Sequence, residues 1–209
     1  MHRDRTRPGG VRVQRFLFAI DRFSAWTGKI VAWVIVLSTV LISYDITMRY
    51  LSKPLGDPIR AIWFTYNFSY DMSYYLYAVL FMLGGAYALS RGQHVRGDIF
   101  YRNWSVRVQG AVDLFLYLFA FFPGIIALIS VVAQWAAASW AIHERSFTSE
   151  AAPPLYPLKT VIPIAGTLMA VQGVAETIRS FIALRTGVWP PRLSDVEETE
   201  TILAKQSEL

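Results

Sequence analysis

The polar stretch after the second apolar run, ALSRGQHVRGDIFYRNW at Ala88–Trp104, carries side chains that could do chemistry. Residues Arg96–Asp98 read Arg-Gly-Asp, a tripeptide found in adhesion proteins, and His94 has an imidazole that could ligate a metal. No second histidine follows His94 at helical spacing, which argues against a metal site. Asp98 is better suited to cap a helix that begins directly after it. Three basic side chains then remain for contacts with lipid phosphates or a neighbouring subunit: Arg91, His94 and Arg96.

Other polar side chains that could bind a partner lie at the ends of the apolar runs. Asp71 begins the second run, where the positive end of a helix would stabilise its carboxylate. The third connection, AIHERSFTSEAAPPLYPLK, is rich in proline and polar residues and is expected to form an ordered, non-helical loop. It supplies four further candidates for partner or lipid contact: Glu144, Ser146, Phe147 and Lys159.

Two short motifs inside the apolar runs allow a different kind of site. A helix broken at Gly84–Gly85 or at Pro123–Gly124 could bind sodium through its backbone carbonyls. The simpler interpretation, which we favour, is that Gly84 and Gly85 permit close helix packing and that Pro123 produces a kink.

The composition is that of a membrane protein. Of 209 residues, 54% are hydrophobic and 15% are aromatic, and the mean hydropathy is +0.35. There is no cysteine, which excludes disulfides and thiolate chemistry. The net charge of +5 does not indicate nucleic-acid binding, because the arginines cluster between apolar runs rather than along one face of a soluble fold.

Four apolar runs can each supply the ~20 helical residues that a ~30 Å bilayer core requires. Strands of alternating pattern are absent, so the sequence predicts an all-α integral membrane protein. A basic segment, 1–25, precedes the membrane domain, 26–187, and an acidic, solvated tail, 188–209, follows with a short helix capped by Ser194. The predicted spans are 26–48, 71–91, 111–140 and 159–184.

The distribution of arginines predicts the orientation. They concentrate in the N-terminal segment, in the second connection and after the fourth run, so both termini and the second connection are predicted to be cytoplasmic. In the first connection Asp57 and Pro58 form a good helix start. An additional helix, Pro58–Tyr70, is therefore expected at the outer interface.

The middles of the four runs lack ionisable residues, which argues against ion or proton coupling by this chain itself. The only histidines, His2, His94 and His143, all lie outside the apolar runs, so a bis-histidine haem site is not expected either. The sequence predicts neither an enzyme nor a resident cofactor or metal.

The second run and its exit, DMSYYLYAVLFMLGGAYALSRGQHVRGDIFY, resemble the small membrane subunit of the tripartite ATP-independent periplasmic (TRAP) transporters. The likeness continues through Asp113, the segment Trp140–Ser146 and PLKTVIPIAGTLMAVQGVAETIR, and covers roughly 30–185. Gly97 departs from it, because the family commonly carries a β-branched apolar residue there. The extra outer helix and the Lys159 entry resemble the larger type found in systems for mannitol, chloroaromatic or 2-oxo acid uptake.

The resemblance implies a non-catalytic scaffold subunit of a sodium-coupled, binding-protein-dependent importer of organic acids in the bacterial inner membrane. Its implied partners are the large membrane subunit, a periplasmic binding protein and the lipid bilayer, with no nucleic acid. Two other classes stay open at this point: a self-contained four-helix channel or exporter that acts as an oligomer, and a membrane anchor for a redox enzyme.

Overall fold

A computed structural model describes residues 8–55, 64–92, 101, 103–148 and 152–196. Helix α1 is Pro8–Leu55, and α2 is Phe64–Ser90. After the second connection come α3 (Val106–Leu116), a π-helical turn (Tyr117–Phe121), α4 (Phe122–Ala141) and α5 (Tyr156–Thr186). The described residues contain no β-strand, only an isolated bridge between Arg145 and Pro154.

Four segments are long and apolar enough to cross a membrane: Arg12–Met48, Asp71–Ser90, Val106–Ala141 and Tyr156–Thr186. The prediction of an all-α membrane protein with four spanning helices is thus confirmed. Most of the surface of these helices is exposed and apolar, as expected for side chains that face lipid or a partner subunit.

Helix α1 is longer than its predicted span. Its 48 residues extend over about 72 Å, more than twice the ~30 Å of a bilayer core. The predicted boundary at residue 25 is not a helix end, because Pro8 to Leu55 form one continuous helix.

Helix α2 begins before Asp71, which corrects the proposed role of that residue. No glycine or proline interrupts the sequence from Phe64 to Asp71, so the helix continues through it and Asp71 lies in the helix interior. Its carboxylate therefore does not face a free helix N-terminus. An additional outer helix was predicted at Pro58–Tyr70. Residues 58–63 of it lie outside the described residues, and residues 64–70 belong to α2.

The third span contains one widened turn rather than a break. The Phe122 N–H donates to the Tyr117 carbonyl, five residues back, and the α-helix resumes at once. Pro123 supplies the physical reason: its ring would clash with the carbonyl of Phe119, four residues back, and widening the turn relieves that clash.

The chain divides into two compact units, and the boundary falls inside each long helix. Unit 1 comprises Met1–Trp26, Ala86–Ile126 and Leu168–Leu209; unit 2 comprises Thr27–Gly85 and Ala127–Thr167. In unit 1, Leu17 and Ile20 of α1 pack with Ala175 and Ile178 of α5.

Gly110 makes a close helix contact that the sequence did not predict. In unit 1, a Cβ on Gly110 of α3 would lie 2.8 Å from the Ser180 carbonyl oxygen of α5, so only glycine fits at this crossing. A Cβ on Gly84 would meet no atom within 4 Å. The described part of the chain therefore makes no close contact at Gly84, although the neighbouring Ala86 is buried.

Candidate functional site

In unit 1, polar and charged side chains of α1, α5 and the segment after α5 form a buried group that we call the Arg179 cluster: Asp21, Ser24, Gln172, Glu176, Arg179 and Arg192. Arg179 donates from Nη2 to Asp21 Oδ2 at 2.5 Å and from Nη1 to Glu176 Oε1 at 2.7 Å. Only 1% of the Arg179 side chain is exposed. Two carboxylates thus share one buried guanidinium, and α1 is joined to α5 through charge.

An amide and a hydroxyl orient the second oxygen of Asp21. Gln172 donates from Nε2 to Asp21 Oδ1 at 3.0 Å, and Ser24 donates to Gln172 Oε1 at 2.8 Å. All three residues are buried. A buried carboxylate needs such partners, because leaving it without hydrogen bonds costs several kcal/mol.

The segment after α5 completes the Arg179 cluster. Arg192 donates from Nη2 to Glu176 Oε2 at 2.8 Å, and the Leu193 N–H donates to Asp21 Oδ2 at 3.2 Å. Trp189 Nε1 donates to Gln109 Oε1 of α3 at 3.0 Å. The cluster then contains two carboxylates and two guanidinium groups, so its formal charge is zero.

These contacts correct the expectation that the whole tail is solvated. A helical turn follows Arg192, and the Arg192 N–H donates to Asp195 Oδ2 at 2.8 Å. Asp195 therefore caps this turn from its third position, and Ser194, which the sequence predicted as the cap, lies inside the turn. Arg192 and Leu193 hold this segment against α1 and α5, and residues 197–209 of the acidic tail lie outside the described residues.

In unit 2, a second group, the Glu144 cluster, consists of Trp135, Ser139, Glu144 and Lys159. Lys159 Nζ donates to Glu144 Oε2, and Ser139 donates to the same oxygen at 2.6 Å. The Lys159 ammonium also lies 4.0 Å from the centroid of the Trp135 ring, a cation–π contact. The hydrogen bonds from Lys159 and Ser139 hold the pKa of Glu144 below its usual range.

Asp71 anchors the third connection to α2. Thr148 Oγ1 donates to Asp71 Oδ1 at 2.9 Å, and Ser146 Oγ lies 2.5 Å from Thr148 Oγ1. Asp71 and Ser146 are both buried. The sequence selected both residues as contacts for a partner or lipid, but the structure places them in a hydrogen-bonded chain within unit 2.

The backbone of the third connection is fixed on both sides of its tip. Ser146 N–H donates to the Pro153 carbonyl, and Leu155 N–H donates to the Glu144 carbonyl, both at 2.9 Å. Phe147, between these bonds, is 93% exposed. A cavity of about 320 Å³ lies beside it, between α2, α4 and α5, and Lys159 and Glu144 are among its lining residues. The connection therefore presents an apolar ring directly after a residue whose backbone is hydrogen-bonded.

Of the remaining predicted residues in the second connection, only Arg91 lies within the described part of the chain. The Arg91 guanidinium lies 5.4 Å from the centroid of the Tyr87 ring, and Arg91 lines a water-sized cavity with Asp21. Three others lie outside the described residues: His94, Arg96 and Asp98. The Arg179 cluster was not predicted from the sequence, although two signals were present. Asp21 is the only acid between Arg12 and Lys29, and Glu176 and Arg179 stand three residues apart on one helix.

Replacing Arg179 with methionine should destabilise the protein by about 3 kcal/mol or more, because two buried carboxylates lose their cation. Arg185→Met, on the same helix, is the matched control. Arg185 is exposed and its guanidinium lies 4.8 Å from the centroid of the Phe181 ring, so its removal should change stability by less than about 1 kcal/mol. Unfolding of both purified variants in detergent measures the difference, and equal losses would contradict the assigned role of the cluster.

The Glu144 cluster should add stability that depends on pH. Because the folded-state pKa of Glu144 is lowered from 4.5, its contribution is fully present above about pH 4.5 and is lost as the pH falls through the folded-state pKa. The unfolding midpoint of the wild type should exceed that of Glu144→Gln by a constant amount between about pH 7 and pH 5, and the gap should close in stronger acid. Lys159→Met should remove most of this pH-dependent gap; a gap that widens in acid would refute the assignment.

Comparison with known proteins identifies the family. The family model described as "Tripartite ATP-independent periplasmic transporters, DctQ component" matches residues 38–183, well over half of the chain. No curated protein and no solved structure gives a match. The match includes Asp71, Glu144, Lys159, Glu176 and Arg179, whereas Asp21 and Arg192 lie outside it. The chain therefore belongs to the family of the DctQ component, the small membrane component of the TRAP transporters.

Proposed function

We propose that this chain is the scaffold subunit of a sodium-coupled importer of organic acids in the bacterial inner membrane. In this proposal a large membrane subunit carries sodium and substrate, and a periplasmic binding protein delivers the substrate. The chain itself performs no catalysis and braces the large subunit. Its family membership supports the assignment to a tripartite transporter.

The observation that supports the scaffold role is that the charged side chains of the two clusters are paired with one another within this chain. Asp21 and Glu176 are both bound to Arg179, and Lys159 is bound to Glu144. A coupling-ion site needs carboxylates or carbonyls that can exchange partners during each transport cycle. Carboxylates neutralised by arginine and lysine of the same chain instead hold helices in fixed positions, which is what a brace requires.

The third connection is the surface that we assign to the binding protein. Its backbone is held at Glu144, Ser146 and Pro153, and Asp71 ties it to α2. Binding through the exposed Phe147 ring would therefore cost little backbone entropy. A large aromatic side chain on a rigid support is typical of the residues that dominate protein interfaces.

Large exposed apolar side chains cover the spanning helices, among them Trp33 of α1 and Val131 of α4. In the proposed complex the large subunit and lipid cover these surfaces. Gly84 leaves room beside α2, so we assign Gly84 and Gly85 to a contact with a helix of the large subunit.

Transport by reconstituted protein tests the scaffold assignment. Liposomes that contain the chain alone should take up no organic acid under an inward sodium gradient, because the described spans supply no exchangeable site for sodium or for the anion. Liposomes that contain the chain with its large subunit and binding protein should show sodium-dependent uptake. A panel of mono- and dicarboxylic acids is the substrate set.

Each outcome of that experiment has a defined meaning. Sodium-driven uptake by the chain alone would reject the scaffold role and favour the self-contained channel or exporter. Uptake that is unchanged when this chain is omitted from the complex would reject the proposal as well, because the large subunit would then work without the scaffold.

Substitution of Phe147 tests the assigned docking surface. Phe147→Glu should raise the concentration of binding protein required for half-maximal uptake by about ten-fold, because loss of an interface anchor costs roughly 1–2 kcal/mol. Val188→Glu is the matched control, since Val188 is also exposed, apolar and non-helical but lies in the segment predicted to be cytoplasmic. Equal effects of the two substitutions, or none at Phe147, would remove the docking assignment.

A further inference from the structure

The part of α1 that precedes Trp26 has two opposite faces. Leu17, Asp21, Ser24 and Ala25 are buried within unit 1. The other face is exposed, and at 3.6 residues per turn its six largest side chains fall within a sector of about 120°. Three of these side chains are basic and three are aromatic: Arg12, Arg15, Phe16, Arg22, Phe23 and Trp26.

The exposed face carries basic charge without an acid beside it. The only acid between Arg12 and Lys29 is Asp21, which points to the buried side and binds Arg179. Within the described part of the chain, no ion pair is found for Arg12, Arg15 or Arg22. Three guanidinium groups thus spread over about 15 Å of helix and are free to bind anions from outside the described chain.

The aromatic rings of this face indicate a membrane surface rather than water. Phe16 is 52% exposed and Trp26 is 62% exposed. On α5, which flanks this part of α1 in unit 1, Phe181 is 44% exposed. The helical register of the face also continues along α1 through Ile30, which is exposed and apolar. Arginines followed by tryptophan and then by apolar residues are typical of a helix that passes from lipid headgroups into hydrocarbon.

We propose that this face of α1 binds anionic phospholipid headgroups. Guanidinium groups fit phosphate through two parallel hydrogen bonds, and the rings of Phe16 and Trp26 suit the boundary between headgroups and acyl chains. The Arg179 cluster holds the opposite face, so α1 presents the three arginines from a rigid support. Lipid binding at this face is separate from the proposed transport function, because it requires neither sodium nor substrate.

Lipid titration of the purified full chain, followed by native mass spectrometry, measures the dissociation constants of phosphatidylglycerol and phosphatidylcholine separately. The wild type should bind phosphatidylglycerol more tightly. The triple variant R12Q/R15Q/R22Q should lose at least ten-fold in affinity for phosphatidylglycerol, because each basic residue near an anionic surface contributes about five-fold. Its affinity for phosphatidylcholine should stay unchanged.

Two control variants separate this face from overall charge. R107Q/R145Q/R185Q removes the same charge from other exposed positions and should keep most of the preference for phosphatidylglycerol. R12K/R15K/R22K retains the charge and should lose less than the glutamine variant, since lysine meets phosphate as a point charge. Unfolding midpoints of all variants show that each remains folded.

The proposal fails if the wild type does not prefer phosphatidylglycerol, or if both glutamine variants lose affinity equally. It also fails if R12Q/R15Q/R22Q binds phosphatidylglycerol normally but no longer co-purifies with the large subunit. That last result would assign the face to an acidic surface of the partner instead of to lipid.

Discussion

Arg179 has a guanidinium with only 1% of its side chain exposed, inside a helix that is apolar enough to cross a membrane. Removing such a cation from water costs several kcal/mol, and this penalty is offset only when carboxylates meet the group with good geometry. Asp21 and Glu176 both do so, but two carboxylates around one guanidinium would leave a buried negative charge. Arg192 supplies the balancing charge. Electroneutrality thus requires α1, α5 and the segment after α5 to come together.

The arrangement of unit 1 follows from that requirement. Asp21 opposite Arg179, and Ser24 opposite Gln172, fix the register of α1 on α5. Apolar packing alone fixes register less strictly, because neighbouring apolar side chains can replace one another at little cost. The charge network therefore determines which face of α1 is buried, and by the same geometry which face presents its arginines outward.

The sequence predicted the spanning helices well because hydropathy is a property of each run by itself. Pro123 predicted a local distortion for an equally local reason, namely its missing N–H and its bulky ring. The Arg179 cluster was not predicted because it joins residues of α1 and α5 that lie about 150 positions apart in the sequence. In addition, an arginine near the end of an apolar run was interpreted only as a marker of the cytoplasmic side. Asp71 was misassigned for a related reason: the start of an apolar run was taken for the start of the helix, which begins at Phe64.

Both polar clusters use charge in the same way, although each lies in its own unit. In each, a cation of α5 neutralises a carboxylate from another part of the chain, and hydroxyl or amide groups occupy further acceptor positions. The fully buried pairs of Arg179 are the costly ones to separate, since breaking one leaves an uncompensated charge in an apolar setting. A subunit that must change shape in every transport cycle would have to repeat that cost. A subunit that stays fixed forms these ion pairs once, during folding, and the free energy needed to break them then resists deformation. Buried ion pairs of this kind therefore support the static role proposed for this chain.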